Sequence, residues 1–387
     1  MIKKLTLGSV VAAACLCSNV YAGDNLEEAF ANGKFNGEVR SYYFQQNNES
    51  TGKSSIINSG GFLSYETDKF YTITAGATIH VSSTGDISGT NKFAYSEDAS
   101  GAVLSEAFLT YGLGNSSIKV GRQYIGTPAV AGSGSRMIRQ SFEGVTVTNT
   151  DIPDTKVMGI YVNKYQKRTD LDGNVAGFTK AFDTNTSGDT ILEDGAYSLY
   201  LQNKSIADLT IQAQYLDAVD AFSTLYVDSV YSIGTDYNLS ITGQYLSTDH
   251  DSGAEDGEYV AARLAGSING FNLSASVSEN TSDGVVESGL GYGADWSLVG
   301  GDVYWGYYAY QPETTSYQVK AGTTIADVGI TIIHSSYDLK TADDVSETDY
   351  MLSYELMKNL NLDILHAEFD GIADRENETR VKLTYKF

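Results

Sequence analysis

The sequence predicts an all-β fold, a membrane-crossing up-and-down antiparallel β-barrel, from three observations. The last residues, Asn377–Phe387, alternate: Val381, Leu383, Tyr385 and Phe387 point one way, and Arg380, Lys382, Thr384 and Lys386 the other. A strand ending on an exposed aromatic residue is an aggregation hazard at a sheet edge, whereas in a closed barrel it has no free edge. The second observation is Tyr71–Ser82. Here Tyr71, Ile73, Ala75, Ala77, Ile79 and Val81 form one face, and Thr72, Thr74, Gly76, Thr78, His80 and Ser82 the other. Its length suits a tilted membrane-spanning strand of ~9–11 residues plus rims. The third is composition, with only 3 prolines, so that ladders run unbroken, and 28 tyrosines, which suit aromatic girdles at the membrane interface.

From the start of the chain, Lys3 and Lys4 precede an apolar run from Leu5 to Leu16, and Val20 and Ala22 stand before Gly23. That arrangement predicts a cleavable signal peptide over 1–22 and one barrel domain over 23–387. Cys15 and Cys17 are the only cysteines, so the mature chain has none and no disulfides hold it. Leu26–Gly33 reads as a short helical lead-in capped by the glycine, and strand pattern begins at Phe35. Only about a dozen residues separate Gly23 from that strand, too few for an amino-terminal hatch or plug.

Turn-like stretches follow at Glu66–Lys69, Gly114–Ser117, Asp151–Asp154, Asn203–Asp208, Gly234–Asn238, Ile268–Asn272, Gly300–Asp302 and Met357–Asn361. Longer polar connections lie at Gln45–Lys53, Ser83–Gly101, Ile125–Ser141, Lys167–Gly195, Ser247–Glu258, Asp338–Glu347 and Asp370–Asn377. The alternation of short turns with longer loops is that of a barrel with one short rim and one long rim. Counting segments gives about 20 strands, including a pair near Ser288–Trp296 and Val303–Tyr310, in an architecture that favours even numbers.

The net charge is −24, and −26 without Lys3 and Lys4, which argues against a nucleic-acid partner because phosphate binding needs a basic face. His80, His250, His334 and His366 are scattered with no metal-ligand spacing, so neither metal nor cofactor is expected. His334-Ser335 lacks a nucleophile elbow, so no catalytic residue is assigned and an outer-membrane barrel enzyme ranks low. Asp170–Asn174 and Asp249–Asp251 resemble pieces of calcium loops but miss the required glycine and glutamate positions, and read as solvated loop tips.

Gly121–Gly144 is the informative stretch. Pro128 ends a ladder, a Gly/Ser/Ala segment follows, and Arg136 and Arg139 precede a return to strand at Phe142. Small residues let a loop pack closely on neighbouring backbone, which predicts an inward-folded constriction loop. Arg136 and Arg139 would supply fixed positive charge opposite wall carboxylates such as Glu143 or Glu106. By lumen-facing parity His80, Arg263, Lys320, Arg380 and Lys382 are pore-wall candidates.

Leu26-Glu-Glu-Ala-Phe30, Gly37-Glu-Val-Arg-Ser-Tyr-Tyr-Phe44, Gly60-Gly-Phe-Leu-Ser-Tyr-Glu-Thr67, Gly121-Arg-Gln123 and Ser135-Arg-Met-Ile-Arg-Gln-Ser-Phe-Glu-Gly144 resemble signatures of the OprD-type outer-membrane porins. The resemblance is best over residues 24–165 and architectural beyond. It implies a barrel of about 18 strands (about 16–20 as the range) with an inward third loop, passing small hydrophilic nutrients such as amino acids, peptides or organic acids. Arg40, Arg122, Arg136 and Arg139 match its motif positions, although Arg139 stands where the family commonly has proline. The expected setting is the bacterial outer membrane with its lipid and lipopolysaccharide, with assembly machinery engaging Phe387 and the assembly state open between monomer and homotrimer. The competing readings are a hydrophobic-substrate channel, a surface adhesin or structural barrel, and a barrel enzyme.

Overall fold

The computed structural model describes residues 25–85, 99–170, 172–184, 188–234, 236–340 and 342–387. The expected signal peptide over 1–22, with both cysteines, lies outside the described residues.

A short helix, α1 (Leu26–Ala31), opens the chain. Asn25 caps it by accepting from the Glu27 N–H at 2.9 Å. Asn32, not the expected glycine, stands at its carboxy-terminal cap. The chain then runs into 18 barrel strands. In order they are β1 (Lys34–Asn48), β2 (Gly52–Glu66), β3 (Ile73–Thr84), β4 (Gly101–Leu113), β5 (Ser116–Gln123), β6 (Ser141–Asn149), β7 (Thr155–Gln166), β8 (Ala196–Asn203) and β9 (Leu209–Ala218). The second half comprises β10 (Phe222–Ser232), β11 (Ser240–His250), β12 (Gly257–Ile268), β13 (Phe271–Asn280), β14 (Thr315–Ile325), β15 (Val328–Asp338), β16 (Val345–Met357), β17 (Leu360–Asp370) and β18 (Asn377–Lys386).

Each strand pairs antiparallel with its neighbours in sequence, and β1 pairs with β18 from Glu38↔Lys386 to Asn47↔Asn377. The ring is closed and has no free edge. The Phe387 N–H and C=O exchange hydrogen bonds with Gly37 at 3.0 and 2.9 Å, so the last residue completes the seam. A Cβ on Gly37 would stand 2.5 Å from the Phe387 ring and 2.8 Å from the Phe62 carbonyl oxygen, so the seam favours glycine there.

Strand alternation sorts the side chains. In β3, Ile79 and Val81 are exposed on the outer face, while Thr78, His80 and Ser82 are buried inside. In β8, Tyr197, Leu199 and Leu201 face out, and Ala196, Ser198 and Tyr200 face in. An apolar exterior over a polar interior inverts a soluble protein and is the arrangement lipid demands. Among the described residues no helix is long and apolar enough to cross a membrane.

One rim carries α1, the carboxy-terminus and the short turns. Asn269-Gly270 and Ala326-Asp327 take positive φ at both turn residues, 50° and 82°, and 49° and 66°. These are the primed hairpin turns whose twist matches the strands. Seven of the eight expected turns join adjacent strands on this rim. Gly300–Asp302 does not, and Ala326-Asp327 takes its place. Tyr71, with φ 54°, belongs to the turn before β3.

The long rim corrects the segment count of 20. Ser288–Trp296 and Val303–Tyr310 are not barrel strands. They lie in one connection, residues 281–314, between β13 and β14. Two further long connections are 124–140, between β5 and β6, and 167–195, between β7 and β8. The Gln45–Lys53 and Ser247–Glu258 connections are shorter than expected, because the ladders continue to Asn48↔Gly52 and Thr248↔Gly257.

Candidate functional site

The connections 124–140, 167–195 and 281–314 meet at Leu290, a fully buried residue. Leu290 donates its N–H to the Ala129 carbonyl at 3.0 Å and accepts from the Ala131 N–H at 3.0 Å. Gly291 donates to the Asp183 carbonyl at 2.7 Å, which brings in the connection after β7. A Cβ on Gly289 or Gly291 would stand 2.2 and 2.3 Å from the Ala129 and Ala131 carbonyl oxygens, and both residues have positive φ. Glycine is required on both counts.

The 124–140 segment is held from several sides by inward-facing wall residues. Arg40 of β1 donates to the Arg136 carbonyl at 2.7 Å. On β9, Gln214 accepts from the Ala129 N–H and donates to the Thr127 hydroxyl, each at 2.9 Å. The β1 and β9 strands are nearly half a turn apart in an 18-stranded ring, so these residues reach towards opposite walls. Met137 and Ile138 are buried with Tyr42, Phe44 and Ile56 of β1 and β2. This apolar pair pins the segment and leaves half-buried Arg136 and exposed Arg139 on either side of it.

The two arginines face different neighbours. Arg136 stands by Arg40, while the Arg139 guanidinium lies 4.0 Å over the Tyr124 ring. The wall carboxylates named from sequence have other partners. Glu143 pairs with Arg122 at 3.1 Å and Lys164 at 2.8 Å. Glu106 accepts from Thr78 at 2.7 Å and lies 3.7 Å from Lys119. His80 faces inward, bonded to the Tyr124 hydroxyl at 2.8 Å. Arg263 ties the 281–314 segment to the wall by donating to the Leu298 carbonyl at 2.6 Å. Lys320 is exposed on the inward parity of β14. Arg380 is buried, ion-paired to Glu378 and 3.4 Å from Asp302. Lys382, 5.6 Å over the Tyr42 ring, stands two residues along the same inward face. His334 and Ser335 point to opposite faces of β15, and among the described residues no group of acids, histidines or cysteines is arranged to hold a metal.

Three residues that mattered were not singled out from sequence. Glu347 and Asp349 sit two apart on the inward face of β16, fully buried. Asp349 accepts from the Asp302 N–H at 2.7 Å, and Glu347 accepts from Val303 at 2.8 Å and Tyr304 at 3.1 Å. Two carboxylates on one inward parity were the available signal. The third, Arg168, is buried, with Nη2 3.2 Å from the Ser135 hydroxyl. In an acidic chain, the Lys167-Arg168 pair at a loop start was a weak cue.

These groups border a series of chambers. An outer one of about 550 Å³ has Gln140, Lys167, Arg168, Asp183 and Tyr292 in its lining. The next, about 270 Å³, includes Ser135, Arg136, Arg168, Tyr292 and Asp302. A third, about 280 Å³, includes Ser135, Asp302, Trp305, Arg380 and Lys382, and reaches Gly329 near the short-turn rim.

Asp183 links the loops through Gln140 Nε2 at 2.9 Å, the Tyr165 hydroxyl at 3.2 Å and Lys167 at 3.4 Å. Burial pushes its carboxyl up to about 6, against the opposing pull of Lys167 and then Arg168. A raised carboxyl favours the protonated folded form, so the loop knot tightens as pH falls through about 6 towards 3.8 and loosens as the group ionises. Single-channel current should therefore be several-fold quieter at pH 4 than at pH 7, and Asp183→Asn should remove that pH dependence. A variant with the wild-type pH profile would show that Asp183 does not control the knot.

The family model for outer membrane porin, OprD family, matches residues 74–387. The match runs far past residue 165, where the sequence resemblance was expected to become only architectural. Similar solved structures include Pseudomonas aeruginosa OpdO (TM-score 0.78, 16% identity, covering 93% of this chain and 98% of that one). A BenF-like porin from Pseudomonas fluorescens Pf-5 gives 0.78 and 15%, covering 93% and 99%. Pseudomonas aeruginosa OpdK with vanillate gives 0.77 and 14%, covering 92% and 99%. Comparison with curated proteins gives no match.

Proposed function

Because this chain belongs to the OprD family of outer membrane porins, we propose that its barrel favours small hydrophilic solutes carrying a carboxylate, amino acids and short organic acids among them. The family and the fold make it an outer-membrane channel for small solutes. Residues 124–140 act as the constriction, with 281–314 narrowing the other side.

The observation that carries the solute reading is the lining of the two inner chambers. Arg136, Arg380 and Lys382 border them, and Asp302 borders both. Guanidinium groups stay charged at any workable pH and offer forked donors to a carboxylate. Asp302, with its side chain 38% exposed, offers the opposite sign 3.4 Å from Arg380, so a solute bearing both charges finds a partner for each. Passage needs no covalent chemistry.

The test is the purified protein in a planar bilayer with potassium chloride. Potassium benzoate or potassium glutamate should reduce the chloride-supported current saturably, while potassium sulfate should not. A current that changes only in proportion to bulk conductivity would remove the carboxylate reading and leave an unselective pore.

A further inference from the structure

We propose that α1 is a membrane anchor, whose Leu26–Phe30 face rests in the phospholipid of the periplasmic leaflet beside the β1–β18 seam. The rim that carries α1 also carries the short turns, which in outer-membrane barrels face the periplasm. Tyr65 of β2 lies two residues from exposed Leu63 on the lipid-facing parity, and its hydroxyl donates to the Phe30 carbonyl. The Phe30 ring stacks on Tyr65 at 6.5 Å, and Phe35 of β1 meets the same ring at 4.6 Å. Gly33 makes this return of the chain possible, because a Cβ there would collide with the Tyr65 ring. The helix therefore leans on the outer wall, where the apolar exterior ends, and not into the lumen.

On that wall α1 turns an apolar face outward. Leu26 and Phe30 are 53% and 54% exposed, whereas Ala29 is buried and its carbonyl accepts the Asp68 N–H at 2.9 Å. Leu26 and Phe30 stand one helical turn apart and form one stripe, with Glu28 on the opposite side of the helix. The stripe continues the lipid-facing surface through Phe35, which is 67% exposed. Exposed Lys34 and Lys69 flank the helix and the turn that holds it, and supply positive charge for lipid phosphates. A helix this short is marginal in water, so burial of the stripe in the head-group region adds to what the Asn25 cap and Tyr65 provide. Lipid is the occupant this face fits, because the stripe runs without interruption into surface that already faces lipid.

The test uses the full protein in vesicles of dioleoylphosphatidylcholine or of its dibrominated form, whose bromines quench tryptophan on contact. Both native tryptophans, Trp296 and Trp305, belong to the 281–314 connection inside the barrel and set an unquenched baseline. Emission from Phe30→Trp should fall roughly twofold when the bromines lie just below the head groups, while Glu28→Trp should stay at its unquenched level. Leu26→Trp serves as the second variant if Phe30→Trp fails to assemble. Leu26→Ser with Phe30→Ser should speed amide hydrogen exchange in α1 by roughly tenfold in the same vesicles, with the barrel strands at wild-type rates. Equal emission of Phe30→Trp in plain and brominated vesicles, with quenching by aqueous iodide, would overturn the anchor and leave α1 in water. Wild-type exchange in the serine variant would overturn it as well. Shielding of Phe30→Trp from both quenchers would assign the face to a second copy of this chain and remove the lipid assignment. Carboxylate block plays no part in these readouts, so failure here leaves the solute reading untouched.

Discussion

Replacing Glu347 and Asp349 together by alanine should turn a steady current into one broken by frequent brief closures. These carboxylates accept the backbone N–H groups of Asp302, Val303 and Tyr304 and hold the 281–314 connection against the inner wall. A buried donor left without its acceptor costs about 1–3 kcal/mol, so at the low end three donors together shift the held-to-released ratio by about a hundredfold. The released segment stays tethered by Arg263 to the Leu298 carbonyl and by the Leu290 contacts, so it swings into the lumen without leaving it. The open level should therefore stay near wild type while its dwell time shortens. Glu347→Gln keeps one acceptor oxygen and should do less.

Gly301→Ala reaches the same anchor from the loop side, since a Cβ there would stand 2.0 Å from the Glu347 carboxylate carbon. Its effect should not add to that of the double alanine variant, because both disrupt the same anchor. Wild-type dwell times in these variants would show that the segment is held elsewhere.

Much of the barrel was legible because the period of two has few imitators. Thr78, His80 and Ser82 alternate inward against Ile79 and Val81 outward over enough residues to exclude a helix. The closing strand was readable for the same reason. Gly114, Asn269-Gly270 and Asn359 announce their turns by tolerating positive φ, whereas Ala326-Asp327 takes the same conformation without a glycine or asparagine to signal it.

The 281–314 connection was misread in part because its apolar residues serve a lumen wall. Tyr304 packs against Phe369 at 5.4 Å and Tyr308 against Tyr337 at 5.4 Å. Such aromatic residues resemble strand composition, and nothing in Val303–Tyr310 itself says that the wall it covers is the inside. Ion-pair partners were hidden for a related reason. Arg122 meets Glu143 because they are directly opposite in the β5–β6 register, and Lys164 joins them from β7. Register is set by the whole ring and cannot be read from a single segment. Arg168 was passed over because it begins a polar loop whose burial depends on two other loops meeting it.

The proposed constriction and its charge are tested most directly by Arg136→Ala with Arg139→Ala. Both side chains belong to a segment otherwise rich in small residues, with Met137 and Ile138 anchoring it between them. Truncation should therefore widen the passage without freeing the loop. Charge-assisted hydrogen bonds contribute about 1.5–3 kcal/mol, so losing a guanidinium contact should raise the half-blocking concentration of a carboxylate solute by about ten- to a hundredfold. Arg136 should dominate, because it borders the chamber that also holds Asp302, whereas Arg139 lies over Tyr124. The deciding measurement is single-channel conductance together with benzoate block of the double variant from the turn side. A higher open conductance with much weaker block is the expected result, and unchanged conductance with unchanged block would place this loop outside the pathway.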